Sequence, residues 1–167
     1  MAETQLRKYA VVEKLNKMEV DLLTVSPDIA EATYQNGDLM AEQEPILNAV
    51  AVKGGSCILQ SITAIDTSDT GGTIYVILSD DNSDLGTVGS AVNAADAAAD
   101  NSVAIVELSN WTDVGGAKIC TKANIGLVQK AQSDTKKLFF GVVNVSGGDI
   151  VIGSGEDIVF RFGVVKD

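Results

Sequence analysis

Hydrophobic and polar residues alternate most regularly near the end of the chain, between residues 157 and 165. One face of this segment carries the large apolar side chains Ile158, Phe160, Phe162 and Val164. The other face carries Val159, Arg161 and Gly163. A two-residue period of this kind is typical of a half-buried antiparallel strand. We therefore predict a strand over 157–165 whose phenylalanines lie in a core.

Other apolar segments also predict short strands, and turn-forming residues separate them. These segments are 56–65, 73–78, 102–108, 118–120, 124–128 and 137–145. Residues 66–72 are rich in Asp, Ser, Thr and Gly, so the strands on either side are expected to form a hairpin with a long loop. Six to eight such strands predict an all-β fold, an antiparallel β-sandwich or jelly roll.

One internal segment favours a helix. Residues 92–100 include five alanines, and alanine has the highest helix propensity. The segment is too short to be stable alone, so packing must hold it. We expect at most one short helix, placed in a connection between strands.

The first 50 residues differ in composition from the rest and hold both prolines. Strands are possible at 9–15 and 19–25, and Asn36-Gly37 marks a turn. Two interpretations remain open for this region. It is an extended N-terminal arm that contacts another chain, or it supplies edge strands to the same domain. In both cases residues 51–167 form the β-sandwich domain.

Composition excludes several classes of function. The chain of 167 residues contains no histidine, which removes the usual side chain for acid–base catalysis and metal binding. Its formal net charge of −11 repels nucleic acid. The N-terminus has no apolar leader segment, and no stretch is long and apolar enough to span a membrane. We expect a soluble protein made in a cytoplasm that contacts neither nucleic acid nor membrane.

Candidate chemical sites fail on their spacing. Cys57 and Cys120 lie too far apart for a zinc or redox motif, although a disulfide between them stays open. Residues 80–85 match the first, third and fifth positions of an EF-hand loop, but Leu85 stands where glycine is needed and Ala91 where glutamate is needed. The glycine pairs lack the Lys-Ser/Thr of a phosphate-binding loop. We expect no catalytic residue, no metal and no cofactor.

Trp111 follows a predicted strand and precedes the turn at Gly115-Gly116. It is either an exposed contact for a partner or a cap over the open end of the sandwich core. We favour the cap.

The chain resembles the small virion proteins of tailed bacteriophages that are encoded near capsid genes. The resemblance runs through residues 34–40, 56–62, 65–66, 98–100, 105–108, 111, 124–127, 138–143 and 162–167. It implies a head decoration or cement protein: a β-sandwich, commonly trimeric, that sits on the capsid surface of the virion and binds the major capsid protein. In these proteins an N-terminal segment reaches neighbouring subunits.

This resemblance gives an expected function. The chain is expected to be a non-enzymatic cement that stabilises the head shell across capsid subunit junctions. Deleting residues 1–50 would then leave a soluble domain that no longer binds capsids. The alternatives are a receptor-binding or fibre-tip β module and, with the weakest support, a small enzyme or calcium lectin. The expected partner contacts are Tyr9, Leu22, Leu23, Tyr34, Leu39, Met40 and Trp111.

Overall fold

The computed structural model describes residues 19–94, 96–153 and 157–166. These residues form eleven β-strands and one short helix. The strands are β1 (Glu19–Val25), β2 (Ala32–Tyr34), β3 (Leu39–Ile46), β4 (Ser56–Asp66), β5 (Ile74–Ser79), β6 (Ser102–Leu108), β7 (Trp111–Asp113), β8 (Lys118–Lys130), β9 (Leu138–Asn144), β10 (Ile150–Ile152) and β11 (Ile158–Lys166). The helix is α1 (Asp96–Asn101).

Two main antiparallel sheets face each other across a common core, so the all-β sandwich prediction is confirmed. The larger sheet has five strands in the order β1-β11-β4-β8-β7. The smaller sheet has four strands in the order β3-β9-β5-β6, and β2 and β10 form a separate two-stranded ribbon. Residues of both main sheets belong to one cluster of buried apolar side chains. Burial of such side chains is the main favourable contribution to folding.

The predicted alternation in the last strand is confirmed. Phe160 and Phe162 of β11 are both fully buried. Their rings pack against Phe140 of β9 in the opposite sheet, with centroid separations of 5.2 and 4.9 Å and tilted planes. Aromatic pairs prefer such tilted arrangements. This cluster joins the two sheets at the centre of the core.

The predicted hairpin between residues 56–65 and 73–78 is wrong, although both strands exist. β4 pairs with β11 and β8, whereas β5 lies in the other sheet between β9 and β6. The connection is shaped by the buried Asp66, whose carboxylate accepts hydrogen bonds from the Ser68 and Gly71 amides at 2.8 and 2.7 Å. The loop therefore crosses from one sheet to the other instead of reversing within one sheet.

Residues 118–120 and 124–128 belong to one long strand, β8, and not to two. An irregularity in the pairing of β8 with β4 separates them. Asn124 and Gly126 have positive φ angles there, 59° and 67°. The extra residues form a bulge, which interrupts the ladder without ending the strand.

Residues 19–50 contribute strands to both sheets. β1 lies at the edge of the larger sheet and β3 at the edge of the smaller one. The turn between β2 and β3 is held by the fully buried Asn144, whose Nδ2 donates to the Tyr34 and Gly148 carbonyls at 2.7 and 2.8 Å. Deleting residues 1–50 would therefore remove strands from both sheets. The possible strand at 9–15 lies outside the described residues.

The single helix prediction is confirmed for Asp96–Asn101, the C-terminal part of the predicted segment and one residue beyond it. Ala98 is buried against the sandwich, and the Ser102 hydroxyl donates to the Ala98 carbonyl at 2.9 Å. In the described part of the chain, no helix has the length and apolarity that crossing a membrane requires.

Candidate docking face

The five-stranded sheet has one side in the core and one side turned outward. Because the residues of a strand alternate between the two sides, the strand registers define cross-strand rows of outward residues. We call the sixteen residues of four such rows the outer face. The rows are Val20, Val165, Ile58 and Val128; Leu22, Gly163, Ser61 and Ala123; Thr24, Arg161, Thr63 and Thr121; and Val159, Ile65, Ile119 and Thr112.

The outer face is almost free of charge. Arg161 is its one charged residue. Charged residues make up 21% of the chain, so sixteen surface positions would be expected to hold about three. Three of its apolar side chains are strongly exposed, Val20 at 79%, Leu22 at 59% and Val128 at 63%. A surface with a single positive charge and no carboxylate is an exception on a chain with a net charge of −11.

The outward side of the four-stranded sheet differs from the outer face, because other segments of the chain pack against it. Leu85 from the β5–α1 connection and Ala98 from α1 pack onto Ile77 and Val143, and all four side chains are buried. Gly141 leaves room for this cover, because a Cβ there would lie 2.4 Å from Leu85 Cδ1. The chain itself therefore covers part of this sheet's outward side, although Ile105 of β6 stays 60% exposed there. The described residues provide no equivalent cover for the outer face.

The size of the outer face can be compared with known interfaces. Strands lie about 4.8 Å apart and alternate residues about 6.8 Å apart, so four rows across four strands span about 500 Å². A standard protein–protein interface buries about 800 Å² on each partner. The outer face supplies more than half of that area, and further contacts are needed to complete it.

The edge beside the outer face is open. β1 pairs only with β11 among the described strands, so one side of its backbone is available for hydrogen bonding. A groove of about 330 Å³ runs along this edge between β1 and β3, and the half-exposed Leu47 contributes to its lining. Pro45 lies on the β3 side of the groove. A proline at an edge lacks one donor and limits strand addition there, which leaves β1 as the edge open to pairing.

β1 pairs with β11 along its whole length, and an ion pair adds to this attachment. Lys166 is nearly buried, at 4% exposure, and its Nζ donates to Asp21 Oδ2 at 2.8 Å. The hydrogen bond from Lys166 holds the pKa of the Asp21 carboxyl below its ordinary value. The charges of β1 thus face inward to this pair, and its outward residues Val20, Leu22 and Thr24 are uncharged.

The residues that the sequence suggested as partner contacts differ in their exposure in the structure. Leu22 lies on the outer face, whereas its neighbour Leu23 packs partly against the core. Tyr34, Leu39 and Met40 are at most 1% exposed, so they have no surface to offer in this fold. Burial raises the pKa of the Tyr34 hydroxyl, which donates to the Ala30 carbonyl at 3.1 Å.

Two of the suggested contacts remain. Trp111 is half-buried and packs against the core cluster, and its indole Nε1 is buried without a hydrogen-bond partner among the described residues. The ring therefore adds to the core at the β7 edge of the larger sheet, and its role as a cap or as a partner contact stays a prediction. Tyr9 lies outside the described residues.

Sequence reasoning missed most of the outer face. Val128, Val165 and Ile58 were taken as members of strands, with no indication that they face outward. The sequence shows apolar residues on both faces of β4 and β11, but this pattern usually indicates a strand that is buried on both sides.

Chemical sites are sparse in the described residues. Cys57 and Cys120 are both buried and form no disulfide. Burial raises the pKa of the Cys120 thiol, which disfavours the reactive thiolate. Within the described ranges, no three Asp, Glu or Cys side chains converge as a metal-binding group. The Asp81 carboxylate of the EF-hand-like loop instead accepts hydrogen bonds from Ser83 and Asn101.

Comparison with known proteins gives few matches. No protein-family model matches the chain, and no curated protein matches it. Among solved structures, the capsid of Ralstonia phage GP4 is similar at 21% identity and a TM-score of 0.41, covering 90% of this chain and 85% of that chain. A marine algae virus of the order Picornavirales is similar at 13% identity and a TM-score of 0.23, over 89% and 67% of the two chains. Both TM-scores lie below 0.5, so neither similarity carries an argument about function.

Proposed function

We propose that this chain is a phage capsid decoration (cement) protein, which binds the major capsid protein across subunit junctions and has no catalytic role. The observation that carries the proposal is the outer face, a surface with one charged residue in sixteen that the described chain leaves uncovered. Uncovered apolar patches of this size on soluble proteins mark interaction sites. The sequence resemblance to phage virion proteins gives the class of partner.

The energetics favour many weak contacts over one strong contact. Burying the whole outer face contributes at most about 12 kcal/mol from its own area at 25 cal/mol per Å², and the facing partner surface contributes a comparable amount at most. Association costs about 4–15 kcal/mol in lost freedom of motion, and the Thr, Ser and Arg side chains of the face must also be desolvated, so much of this gain is offset. Several linked faces bind far more tightly than one, because each further contact forms within an assembly that is already held together. This argument supports the homotrimer that the resemblance implies.

Residues 1–18 are suited to linking copies by their charge. They contain Arg7, Lys8, Lys14 and Lys17 against Glu3 and Glu13, a net charge of +2. The whole chain has a net charge of −11, so the remaining 149 residues carry −13. Opposite charges attract over about one Debye length, roughly 8 Å at physiological salt. We propose that this segment contacts the acidic surface of a neighbouring copy.

A pair of matched variants tests the outer face. Val128→Asp places a charge in the proposed interface, and Ile105→Asp places one at a similarly exposed position, 63% against 60%, on the other sheet. We expect Val128→Asp to weaken binding to undecorated shells by at least about tenfold, because the carboxylate would be buried without a partner. Ile105→Asp should bind as the parent protein does. Co-sedimentation with shells measures both, and circular dichroism confirms folding.

The comparison of the two variants decides the result. Equal binding by Val128→Asp and the parent would remove the outer face from the interface. Equal loss in both variants would show that added charge, and not its position, weakens binding. Either outcome would contradict the proposal.

A further inference from the structure

The open edge of β1 and the groove beside it form a contact surface that is separate from the outer face. Among the described strands, β1 pairs with β11 alone, so the other side of its backbone has no partner strand there. This edge is seven residues long, which is enough to accept one further strand. The groove of about 330 Å³ lies between the edge and β3.

The groove is suited to apolar side chains that come in along β1. Leu23 and Val25 line it on the β1 side, and Pro45 and Leu47 line it on the other side. Leu47 stays 54% exposed, and Glu44 is the one charged residue of the described lining. Because proline has no backbone donor, β3 cannot offer a complete ladder here, and β1 is the strand with which an added segment would pair.

A segment of suitable sequence directly precedes β1. Eighteen residues come before Glu19, and the sequence predicts a possible strand at 9–15. Tyr9, Val11 and Leu15 fall on one face of its alternation, and Lys14 falls on the other. Tyrosine and valine are enriched in strands, and the segment contains neither glycine nor proline. Its apolar face matches the groove, and its basic residues suit an acidic surface.

The short link between this segment and β1 favours pairing with another copy. A return onto the same β1 through residues 16–18 would be a tight hairpin, and such turns favour glycine because they need positive φ angles. Residues 16–18 contain no glycine. With this three-residue loop, Glu13 would also stand opposite Asp21. Like charges directly opposite each other destabilise a pair of strands.

We infer that residues 9–15 of one copy add as a strand to the β1 edge of the next copy, with their apolar side chains over the groove. This inference rests on the proposed contact of residues 1–18 with a neighbouring copy, and it names the place of that contact. The chain from residue 15 to Glu19 spans at most about 14 Å, so the β1 strands of the two copies lie close together. Such a contact is heterologous and closes as a ring, which a trimer requires.

A proline within the segment tests the strand pairing in the full chain. Val12→Pro removes a backbone donor and keeps the net charge of residues 1–18 at +2. We expect it to raise the dissociation constant of self-association by at least about tenfold, because the added ladder loses hydrogen bonds. Thr4→Pro, outside the segment, is the matched control and should associate as the parent does. Analytical ultracentrifugation measures both variants, and circular dichroism confirms folding.

A mixed sample locates the contact without a change in the segment. Unlabelled protein with a spin label on Thr4→Cys is mixed with isotope-labelled parent protein. Cys57 and Cys120 are buried, so the label reacts with the added thiol. The backbone amide resonances of β1 in the isotope-labelled copy should broaden. Those of β7, at the opposite edge of the same sheet, should not.

The outcomes separate this inference from the proposed function. Unchanged self-association of Val12→Pro, or equal loss in Thr4→Pro, would overturn the inference. Broadening of β1 only when spin label and isotope are on the same copy would overturn it too, because the segment would then return to its own strand. Binding to undecorated shells is measured separately with Val128→Asp. Loss of shell binding in that variant would leave the proposed function standing even where the strand contact fails.

Discussion

On strand β1 a charged side chain faces the core and apolar side chains face outward, which is the reverse of the usual arrangement in a surface strand. On β1, Asp21 points toward the core side and Val20 and Leu22 point outward. The inward carboxylate is stable there because Lys166 meets it at 2.8 Å. The pair leaves the outer face without acidic groups along this strand.

The Asp21–Lys166 pair makes stability depend on pH in a defined direction. The folded pKa of Asp21 is lowered by Lys166 from the ordinary value of 3.8. A carboxyl with a lowered folded pKa stabilises the fold above its unfolded pKa and loses this contribution as pH falls through the folded value. We expect Asp21→Asn to lower the melting temperature at pH 7, and the difference from the parent to shrink between about pH 4 and pH 2.

Thermal melts across this pH range measure the effect. Asp149→Asn, at an exposed position in the β9–β10 connection, is the control and should follow the parent curve. Glu19 pairs with Lys166 in the strand register and is exposed. The Glu19→Gln variant therefore tests whether the Glu19 carboxylate replaces that of Asp21 as the partner of Lys166. A constant difference between Asp21→Asn and the parent at all pH values would contradict the assignment.

The sequence predicts the burial of individual residues well where buried and exposed positions alternate regularly. Phe160 and Phe162 were placed in the core from alternation alone. Tyr34, Leu39 and Met40 were considered as contacts to another chain, because isolated apolar residues do not reveal which core they enter. In the structure, the Asn144 side chain donates a hydrogen bond to the backbone of the β2–β3 turn, which holds these residues in the chain's own core. No local sequence pattern predicts such a long-range hydrogen bond.

At the scale of elements, strands were easier to predict than their partners. β4 and β5 were placed correctly along the chain, but their pairing was wrong. β4 pairs with β11, which lies almost 100 residues later. Strand existence depends on local pattern, whereas pairing depends on contacts between distant segments.

The described part of the chain begins at Glu19, which defines a sharper deletion than residues 1–50. Removing residues 1–18 leaves β1, β2 and β3 in place. We expect this variant to melt within a few degrees of the parent and to lose self-association, since the basic segment is proposed to join copies. Light scattering after size-exclusion chromatography measures the oligomer.

A full-length variant shows whether self-association needs the charge of residues 1–18 or only their length. Replacing Arg7, Lys8, Lys14 and Lys17 by glutamine changes the charge of the segment from +2 to −2 and keeps its length. Loss of association in both variants supports an electrostatic contact. Association retained after the deletion would remove the segment from the oligomer contact.

At the scale of the whole molecule, the two sheets have different roles. The four-stranded sheet is covered by the connection that carries Leu85 and α1. The five-stranded sheet leaves its outer face open beside an open strand edge. This asymmetry gives the molecule one side suited to a flat partner and one side that its own chain partly covers. A decoration protein on a shell needs such a division between a bound side and a free side.

The most direct test of the proposed role is cryo-electron microscopy of the phage particle in which we propose that the protein resides. The account predicts many copies spread over the head shell, each with its outer face against the major capsid protein and its Leu85-covered side toward solvent. A few copies at the tail would instead indicate a fibre-tip module. That result, or copies on the head whose outer face is turned to solvent, would contradict the account.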